Sequence, residues 1–192
     1  MILKTYKQIQ EWPVIEIVRI FVICKKATTQ YFNEEEVKSR RDPGYRDSSF
    51  KTEFLQSHNE YRAKHGVPDL AMSDELCRSA QAWADHLENI NKNSSMMSLQ
   101  HSDTKNGENL FFSSKAVENW YSEIKDYDFS NPSFGSNTGH FTQVVWKSTT
   151  EVGVGLAMVG NAVFVVGQYS PAGNISNEGY FEKNVLPEGK HS

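Results

Sequence analysis

A chain of 192 residues with 38% hydrophobic content is long enough to bury one substantial core. The net charge of −4 and a sequence pI near 5.9 argue against a nucleic-acid-binding protein that relies on phosphate neutralisation. The charge is uneven, because residues 1–50 hold nine Lys/Arg and seven Asp/Glu while residues 51–192 hold 11 and 17 and are net −6.

The cysteine content favours a reducing compartment. The chain has only Cys24 and Cys77, which is too few for a disulfide framework. Residues 13–24 are apolar, but charged residues interrupt the run, it is too short to span a bilayer, and no small-residue cleavage site follows it. Ile2 is incompatible with N-myristoylation. We therefore expect an intracellular protein, in the cytoplasm or on the cytoplasmic face of a membrane.

The first 50 residues are predicted to be an N-terminal extension of unknown role. Residues 1–30 fit either a β-rich or an amphipathic segment, and the pattern does not choose between them. Residues 31–50 contain the acidic run Glu34-Glu35-Glu36 and a predicted turn at Pro43-Gly44, a composition typical of a linker. We place the folded domain at residues 51–186 and a short tail at residues 187–192.

Two helices are predicted to open the domain. The first runs from about Lys51 to His65 and ends at Gly66, which is followed by Val67-Pro68. The second is capped by Ser73 and has acidic residues in its first turn. Its buried face is predicted to consist of Leu76, Ala80, Trp83, Ala84 and Leu87.

A long loop is predicted next, and it contains His101 and the segment Gly107-Glu108-Asn109-Leu110. A third helix begins at Ser113 or Ser114. Its apolar side is formed by Val117, Trp120, Ile124 and Tyr127, and Glu123 flanks this stripe.

The segment Gly139–Trp146 has the composition of a strand, with two valines, two aromatic residues and a threonine. Since a loop rich in Pro, Gly and Ser precedes it, His140 would lie where a strand emerges. A hairpin follows, with Glu151–Val159 paired to Ala162–Tyr169 through Gly160-Asn161. Helices first and an antiparallel sheet last predict an α+β domain with helices packed on a sheet.

Four residues are candidates for a common site: His101, Glu108, Glu123 and His140. Two imidazoles and two carboxylates in one cleft can bind a divalent metal or perform acid–base chemistry. Spacing does not establish that they meet, since 39 residues separate the two histidines. Taken singly, Glu123 is more often a solvent-facing helix residue, and an isolated histidine is more often structural.

Five ordered motifs over about residues 51–186 resemble the CAP superfamily of cysteine-rich secretory, insect antigen 5 and plant pathogenesis-related proteins. Gly139–Ser148 is similar to its first signature and Phe164–Asn174 to its second. The other three are His58-Asn59-Glu60-Tyr61-Arg62, Gly107-Glu108-Asn109-Leu110 and Trp120-Tyr121-Ser122-Glu123-Ile124. Within the superfamily the chain resembles the Golgi-associated plant pathogenesis-related group, which is intracellular and poor in cysteine.

The resemblance implies an α-β-α sandwich whose cleft is lined by His101, Glu108, Glu123 and His140, with zinc or a similar cation on the two histidines. Gly167 stands where the second signature usually carries a cysteine, so the disulfide typical of secreted members is not expected. The group's N-terminal myristoyl signal is also missing. The Golgi or another membrane is the implied location, with an extracellular location as the alternative.

Two functions follow from the resemblance. The first is a non-enzymatic binding module that associates with anionic phospholipid or sterol-containing membranes or with partner proteins. The second is a hydrolase in which Ser114 approaches His101 and Glu108 across a homodimer interface. The generic requirement for an activated nucleophile is met by that set. However, Ser114 is equally explained as a helix cap, and no glycine-flanked nucleophile serine is present. The binding module is favoured.

Overall fold

The structure is a computed structural model that describes residues 43–94, 96–112, 115–160 and 162–189, with side chains from residue 48 onward. Ser49–Ser192 forms a compact unit. The predictions made for residues 1–42, including the acidic run and Cys24, lie outside the described residues. Among the described residues, no helix has the length and apolar character needed to cross a bilayer.

Helix α1 (Pro43–Lys64) starts well before the predicted Lys51. The turn predicted at Pro43-Gly44 is therefore wrong. Proline fits the first turn of a helix, because the N–H that it lacks would have no helical partner there. The helix ends before Gly66, whose φ of 62° lies in the left-handed region that favours glycine after a helix.

Helix α2 (Asp74–Asn91) confirms the predicted second helix. Its buried positions are Leu76, Cys77, Ala80, Ala84, Leu87 and Asn91. Ser73 lies at the N-cap position, but its side chain makes no capping hydrogen bond. Trp83 is half-buried at the edge of the core, where its indole N–H donates to the Gln100 carbonyl at 2.8 Å.

The sheet has four strands in the order β1-β3-β4-β2. The predicted hairpin is confirmed as β3 (Glu151–Val159) and β4 (Ala162–Ser170). Strand β2 (Gly107–Phe111) pairs antiparallel with β4, and the short β1 (Ala71–Met72) pairs parallel with β3. The loop predicted over Gly107–Leu110 is thus an edge strand. Gly, Glu and Asn are poor strand formers, so this strand depends on pairing with β4.

The segment predicted as a central strand is instead the short helix α4 (Gly139–Val144). Every residue from Phe141 to Trp146 is buried. Valines and aromatic residues at these positions therefore reflect burial on all sides, and not the half-buried alternation of a strand. Tertiary contacts determine the helix here, against local β-propensity.

Helices cover both faces of the sheet. Helix α3 (Ala116–Ser122) continues into a 3₁₀ turn at Glu123–Asp126, and the last helix is α5 (Tyr180–Asn184). One core cluster joins α1, α3 and α4 to one face of β3 and β4, and a second joins α2 to the other face. Neighbouring β4 residues divide between them, with Val165 in the first and Val166 in the second. The α-β-α sandwich is confirmed.

Candidate functional site

Strand β2 and the loop before it hold the first histidine–carboxylate pair. His101 Nδ1 lies 2.9 Å from Glu108 Oε1. The His101 side chain is 64% exposed, whereas that of Glu108 is only 4% exposed. The pair therefore presents an accessible imidazole on a buried carboxylate.

The Glu108 carboxylate is fully engaged by hydrogen bonds. Besides His101, Oε1 accepts the backbone N–H of Ser102 at 2.9 Å, and Oε2 accepts the Ser102 hydroxyl at 2.5 Å and the Gln168 amide at 3.1 Å. Burial opposes ionisation of Glu108, but these donors outweigh it and lower the carboxyl pKa below its usual value. The hydrogen bond to Glu108 in turn raises the pKa of His101. Glu108 is suited to orienting His101.

The second pair lies between the 3₁₀ turn and α4. His140 Nδ1 is 2.6 Å from Glu123 Oε1, and the side chains are 35% and 22% exposed. The imidazole also stacks on the Trp120 indole, with ring centroids 6.2 Å apart and an interplanar angle of 15°. Trp120 and Glu123 together fix the plane of the His140 ring.

Glu123 also closes the start of α4. Its Oε2 accepts the backbone N–H groups of His140 at 3.0 Å and Phe141 at 3.2 Å. The first N–H groups of a helix have no partner within the helix, and a carboxylate there is also favoured by the helix dipole. One side chain thus sets both the backbone and the ring of His140.

The two pairs are linked through consecutive residues of β2. Side chains of Glu108 and Asn109 point to opposite faces of the sheet, because strand residues alternate. The Glu108 carboxylate accepts a hydrogen bond from the Gln168 amide. On the other face, the Asn109 amide donates to the His140 carbonyl at 3.1 Å and to the Tyr169 hydroxyl at 3.4 Å. Since β2 is an edge strand, the two histidine–carboxylate pairs attach to the same sheet edge from its two sides.

Within the described part of the chain, no group of three or more His, Cys, Asp or Glu side chains is arranged to hold a metal ion. The chemistry of the two histidines nevertheless suits a cation. In both, a carboxylate occupies Nδ1, which directs the ring proton there and leaves the Nε2 lone pair available.

Sequence reasoning did not single out Ser102, Asn109 and Gln168, which support the four candidates. Asn109 and Gln168 lie within the motifs, but their contacts depend on the β2–β4 register, which no local pattern reveals. The Ser102 hydroxyl donates to Glu108 and not to an imidazole. Ser114 lies outside the described residues.

Two positions among the described residues bear on disulfide formation, Cys77 and Gly167. Cys77 is free and buried, with its thiol 3.4 Å from the Met72 sulfur. At Gly167, a Cβ atom would lie 3.1 Å from the Trp120 ring and 3.2 Å from the Phe54 ring. Aromatic side chains occupy the space next to the position at which the family's second signature usually carries a cysteine.

Known proteins are similar to this chain in sequence. A human protein, Golgi-associated plant pathogenesis-related protein 1, is 46% identical over 152 residues, which cover 73% of this chain and 95% of the relative. Secreted protein RBT4 of Candida albicans is 38% identical and is matched over 74% of this chain but only 42% of its own length. The relatives of this chain therefore include a Golgi-associated protein and a secreted protein.

Solved structures show the same fold. The crystal structure of NaASP2 with Zn2+ superposes with a TM-score of 0.56 at 23% identity, over 72% of this chain and 85% of that one. Residues 55–169 match the family described as "CAP: Cysteine-rich secretory protein family". Because that match covers more than half of the chain and agrees with the fold and the ordered motifs, the chain belongs to the CAP superfamily.

Proposed function

We propose that this chain is a non-enzymatic CAP-domain binding module whose cleft takes a divalent cation on Nε2 of His101 and His140. The observation that carries the proposal is the matching arrangement of the two rings, each held at Nδ1 by a carboxylate. A histidine that ligates a metal commonly donates its other ring N–H to such a partner, which fixes the tautomer and the orientation.

Zinc is the cation to test first, because imidazole nitrogen is among its preferred ligands. His101 and His140 would hold it, while Glu108 and Glu123 are committed to hydrogen bonds and would orient the rings. The ion would supply open coordination positions for an oxygen or nitrogen ligand. A solved relative with the same fold has Zn2+ in its crystal structure, which supports the choice of probe.

Isothermal titration of zinc into the full chain tests this proposal. We expect binding to weaken at least tenfold in His101→Ala and in His140→Ala. His86→Ala is the matched control, because His86 is an exposed histidine on α2 that stacks on Trp83 and belongs to neither histidine–carboxylate pair. Equal zinc affinity in wild type and both cleft variants would overturn the proposal.

We further propose an anionic membrane surface as the target, in agreement with the Golgi-associated relative. The domain from residue 51 is net −6, so attraction to anionic lipid would come from the basic residues of the first 50. Each Lys or Arg near such a surface contributes about 1 kcal/mol and is screened by salt. Vesicle co-sedimentation should fall with added salt and on deletion of residues 1–50. Salt-insensitive binding would reject this mechanism, and absence of binding would favour a protein partner.

The compartment can be tested separately. We propose the cytoplasmic face of the Golgi or another membrane, supported by the buried, unpaired Cys77. Mass spectrometry of alkylated, non-reduced protein from its native source should find Cys77 as a free thiol. A Cys24–Cys77 disulfide would instead favour the extracellular alternative.

A hydrolase is the second candidate, because the His101–Glu108 pair also has the arrangement in which a carboxylate orients a general base. Ser114 would supply the hydroxyl. A fluorophosphonate probe that labels the wild type but not Ser114→Ala or His101→Ala would favour the hydrolase over the binding module. Absence of labelling in all three proteins would support the non-enzymatic assignment.

A further inference from the structure

The segment that follows α5 packs back on α1 and α3 through three hydrogen bonds. His65 Nδ1 contacts the Leu186 carbonyl at 2.5 Å, the Tyr121 hydroxyl contacts Glu188 Oε1 at 2.7 Å, and the Gly189 N–H donates to the Lys64 carbonyl at 3.0 Å. We call residues 186–189 the C-terminal clasp. His65 is fully buried and Glu188 is exposed, so the clasp joins an interior ring to the surface.

The positions of the protons in this network can be counted. A carbonyl only accepts, so His65 Nδ1 carries a proton for Leu186. His65 Nε2 lies 2.9 Å from the Tyr121 oxygen, which is also the atom that contacts Glu188. Tyr121 has a single hydroxyl proton. With neutral His65 and Glu188 as the carboxylate, that proton goes either to Nε2 or to Glu188, and one of the two contacts has no hydrogen atom between its partners.

Protonation of His65 resolves the conflict. Nε2–H then donates to the Tyr121 oxygen, and the Tyr121 O–H donates to the Glu188 carboxylate. His58, which lies within α1, provides a contrast. Its Nδ1 donates to the Phe54 carbonyl and its Nε2 accepts from the Tyr169 hydroxyl at 2.8 Å, so that network is complete with the ring neutral.

The charges and rings around His65 determine where the change falls. Burial lowers the pKa of His65 below its ordinary 6.5, the neighbouring Lys64 at the end of α1 acts in the same direction, and the Leu186 carbonyl and Glu188 oppose both. Arg62 lies one helical turn earlier on α1. Tyr61 stacks on Tyr121, and Tyr127 lies beyond the Phe129 and Phe141 rings that pack around the imidazole. The net effect is a lowered pKa, so His65 in the clasp becomes protonated below pH 6.5.

We propose that the C-terminal clasp is a pH-responsive latch, closed at Glu188 when His65 is protonated and released at Glu188 when His65 is neutral. In the neutral state the Tyr121 proton turns to His65, and the exposed Glu188 carboxylate takes its hydrogen bonds from water. The backbone contacts at Leu186 and Gly189 remain in both states, so the latch changes how firmly the segment is held.

NMR of the full chain tests the latch. The His65 ring carbons report its protonation, and hydrogen-exchange protection of the Gly189 amide, corrected for the intrinsic pH dependence of exchange, reports closure. One added hydrogen bond should raise that protection about two- to tenfold as the pH falls. The midpoint of this change should coincide with the midpoint of the His65 titration. Constant protection across that titration would overturn the proposal.

Two test variants and one control variant separate the latch from general stability. In Tyr121→Phe the ring remains but the shared hydroxyl is removed, so Gly189 protection should no longer follow His65. Tyr61→Phe is the control, because the Tyr61 ring stacks on Tyr121 with centroids 3.8 Å apart but is not part of the proposed proton network. In this variant Gly189 protection should still follow the protonation of His65. Glu188→Ala changes an exposed residue and should also remove the pH response. A response that survives in Tyr121→Phe or in Glu188→Ala would contradict the shared-proton mechanism.

Discussion

The two buried histidines at and just after α1 differ from the two carboxylate-paired histidines in how many ring nitrogens the protein itself occupies. His58 and His65 are buried, and each has a protein partner at both Nδ1 and Nε2. His101 and His140 have a carboxylate at Nδ1, and within the described chain Nε2 of neither ring has a hydrogen-bond partner. A histidine that the fold uses on one side only has its other ring nitrogen available for a ligand, which is the basis on which we propose His101 and His140 as the cation ligands.

The interior of α1 carries a second polar group that the fold uses completely. Arg62 is fully buried, and its guanidinium donates to the carbonyls of Pro68, Val144, Trp146 and Thr149 at 2.7–3.0 Å. Burial lowers its pKa to about 10, so it stays charged at neutral pH. These bonds connect α1 to the end of α4, the helix that presents His140.

The largest expected effect comes from breaking that interior network. Arg62→Ala removes a donor from four carbonyls, of which that of Trp146 keeps the Thr149 backbone N–H as a donor, and each unsatisfied buried group costs about 1–3 kcal/mol. We expect the free energy of unfolding in urea to fall by about 4 kcal/mol or more, a large part of a typical domain's stability. Arg78→Ala, on the exposed face of α2, should change it by less than about 0.5 kcal/mol. Similar losses in both variants would contradict the role of Arg62.

The pH dependence of stability should report the buried state of His58. Burial lowers the pKa of His58 from 6.5 to about 4. The unfolded chain therefore binds the proton more readily, and the contribution of His58 is complete above pH 6.5 and lost as the pH falls towards 4. The full loss is about 3 kcal/mol.

Urea unfolding at a series of pH values tests this sign. His58→Gln should flatten the curve between pH 6.5 and 4 relative to wild type, whatever its cost at neutral pH. His86→Gln changes an exposed histidine on α2 and should leave the slope unchanged. Equal slopes in wild type and His58→Gln would show that His58 does not titrate as a buried neutral ring.

Sequence patterns predicted the parts of this fold in which periodicity and burial agree. Helix α2 has a single apolar face, and the β3–β4 hairpin has strand composition around Gly160. The strand predicted at Gly139–Trp146 was wrong because its residues from Phe141 onward are all buried. Without exposed positions, the sequence lacks the alternation of polar and apolar residues that separates a helix from a strand. Pro43 was ambiguous for a different reason, since proline favours both turns and helix starts.

The candidate site was only partly accessible from the sequence. Family motifs identified His101, Glu108, Glu123 and His140, and the side-chain types suggested cation or acid–base chemistry. Their pairing was not predictable, because it depends on contacts such as the one between Glu123 and the start of α4, 17 residues along the chain. The other oxygen of Glu123 accepts the first N–H groups of α4, so the helix that was predicted as a strand and the unpredicted pair involve the same side chain.

Replacement of one carboxylate oxygen of Glu123 should weaken its hold on His140. In Glu123→Gln, one acceptor oxygen becomes an amide, so the side chain cannot hold His140 Nδ1 and the α4 backbone as the carboxylate does. If the cleft binds zinc, we expect an affinity loss of about 10- to 100-fold. Glu118→Gln, on the exposed face of α3, should not change the affinity. Nitrogen-15 shifts of His140 provide a metal-free readout, and an unchanged tautomer would contradict the orienting role.

The smallest expected effect concerns the titration of His101, whose pKa shift has the opposite sign to that of His58. The hydrogen bond to Glu108 raises the pKa of His101 above 6.5, so its contribution to stability is present below pH 6.5 and is lost as the pH rises through the folded value. Because the ring is largely exposed, solvent screening keeps that contribution below about 1 kcal/mol. NMR titration should therefore find His101 above its ordinary value and His58 below it. Glu108→Gln should lower the His101 pKa, whereas Ser102→Ala removes one donor to Glu108 but keeps the charge next to His101, so the pKa should stay raised. A His101 pKa that is unaffected by Glu108→Gln would show that the two side chains do not form the pair in solution.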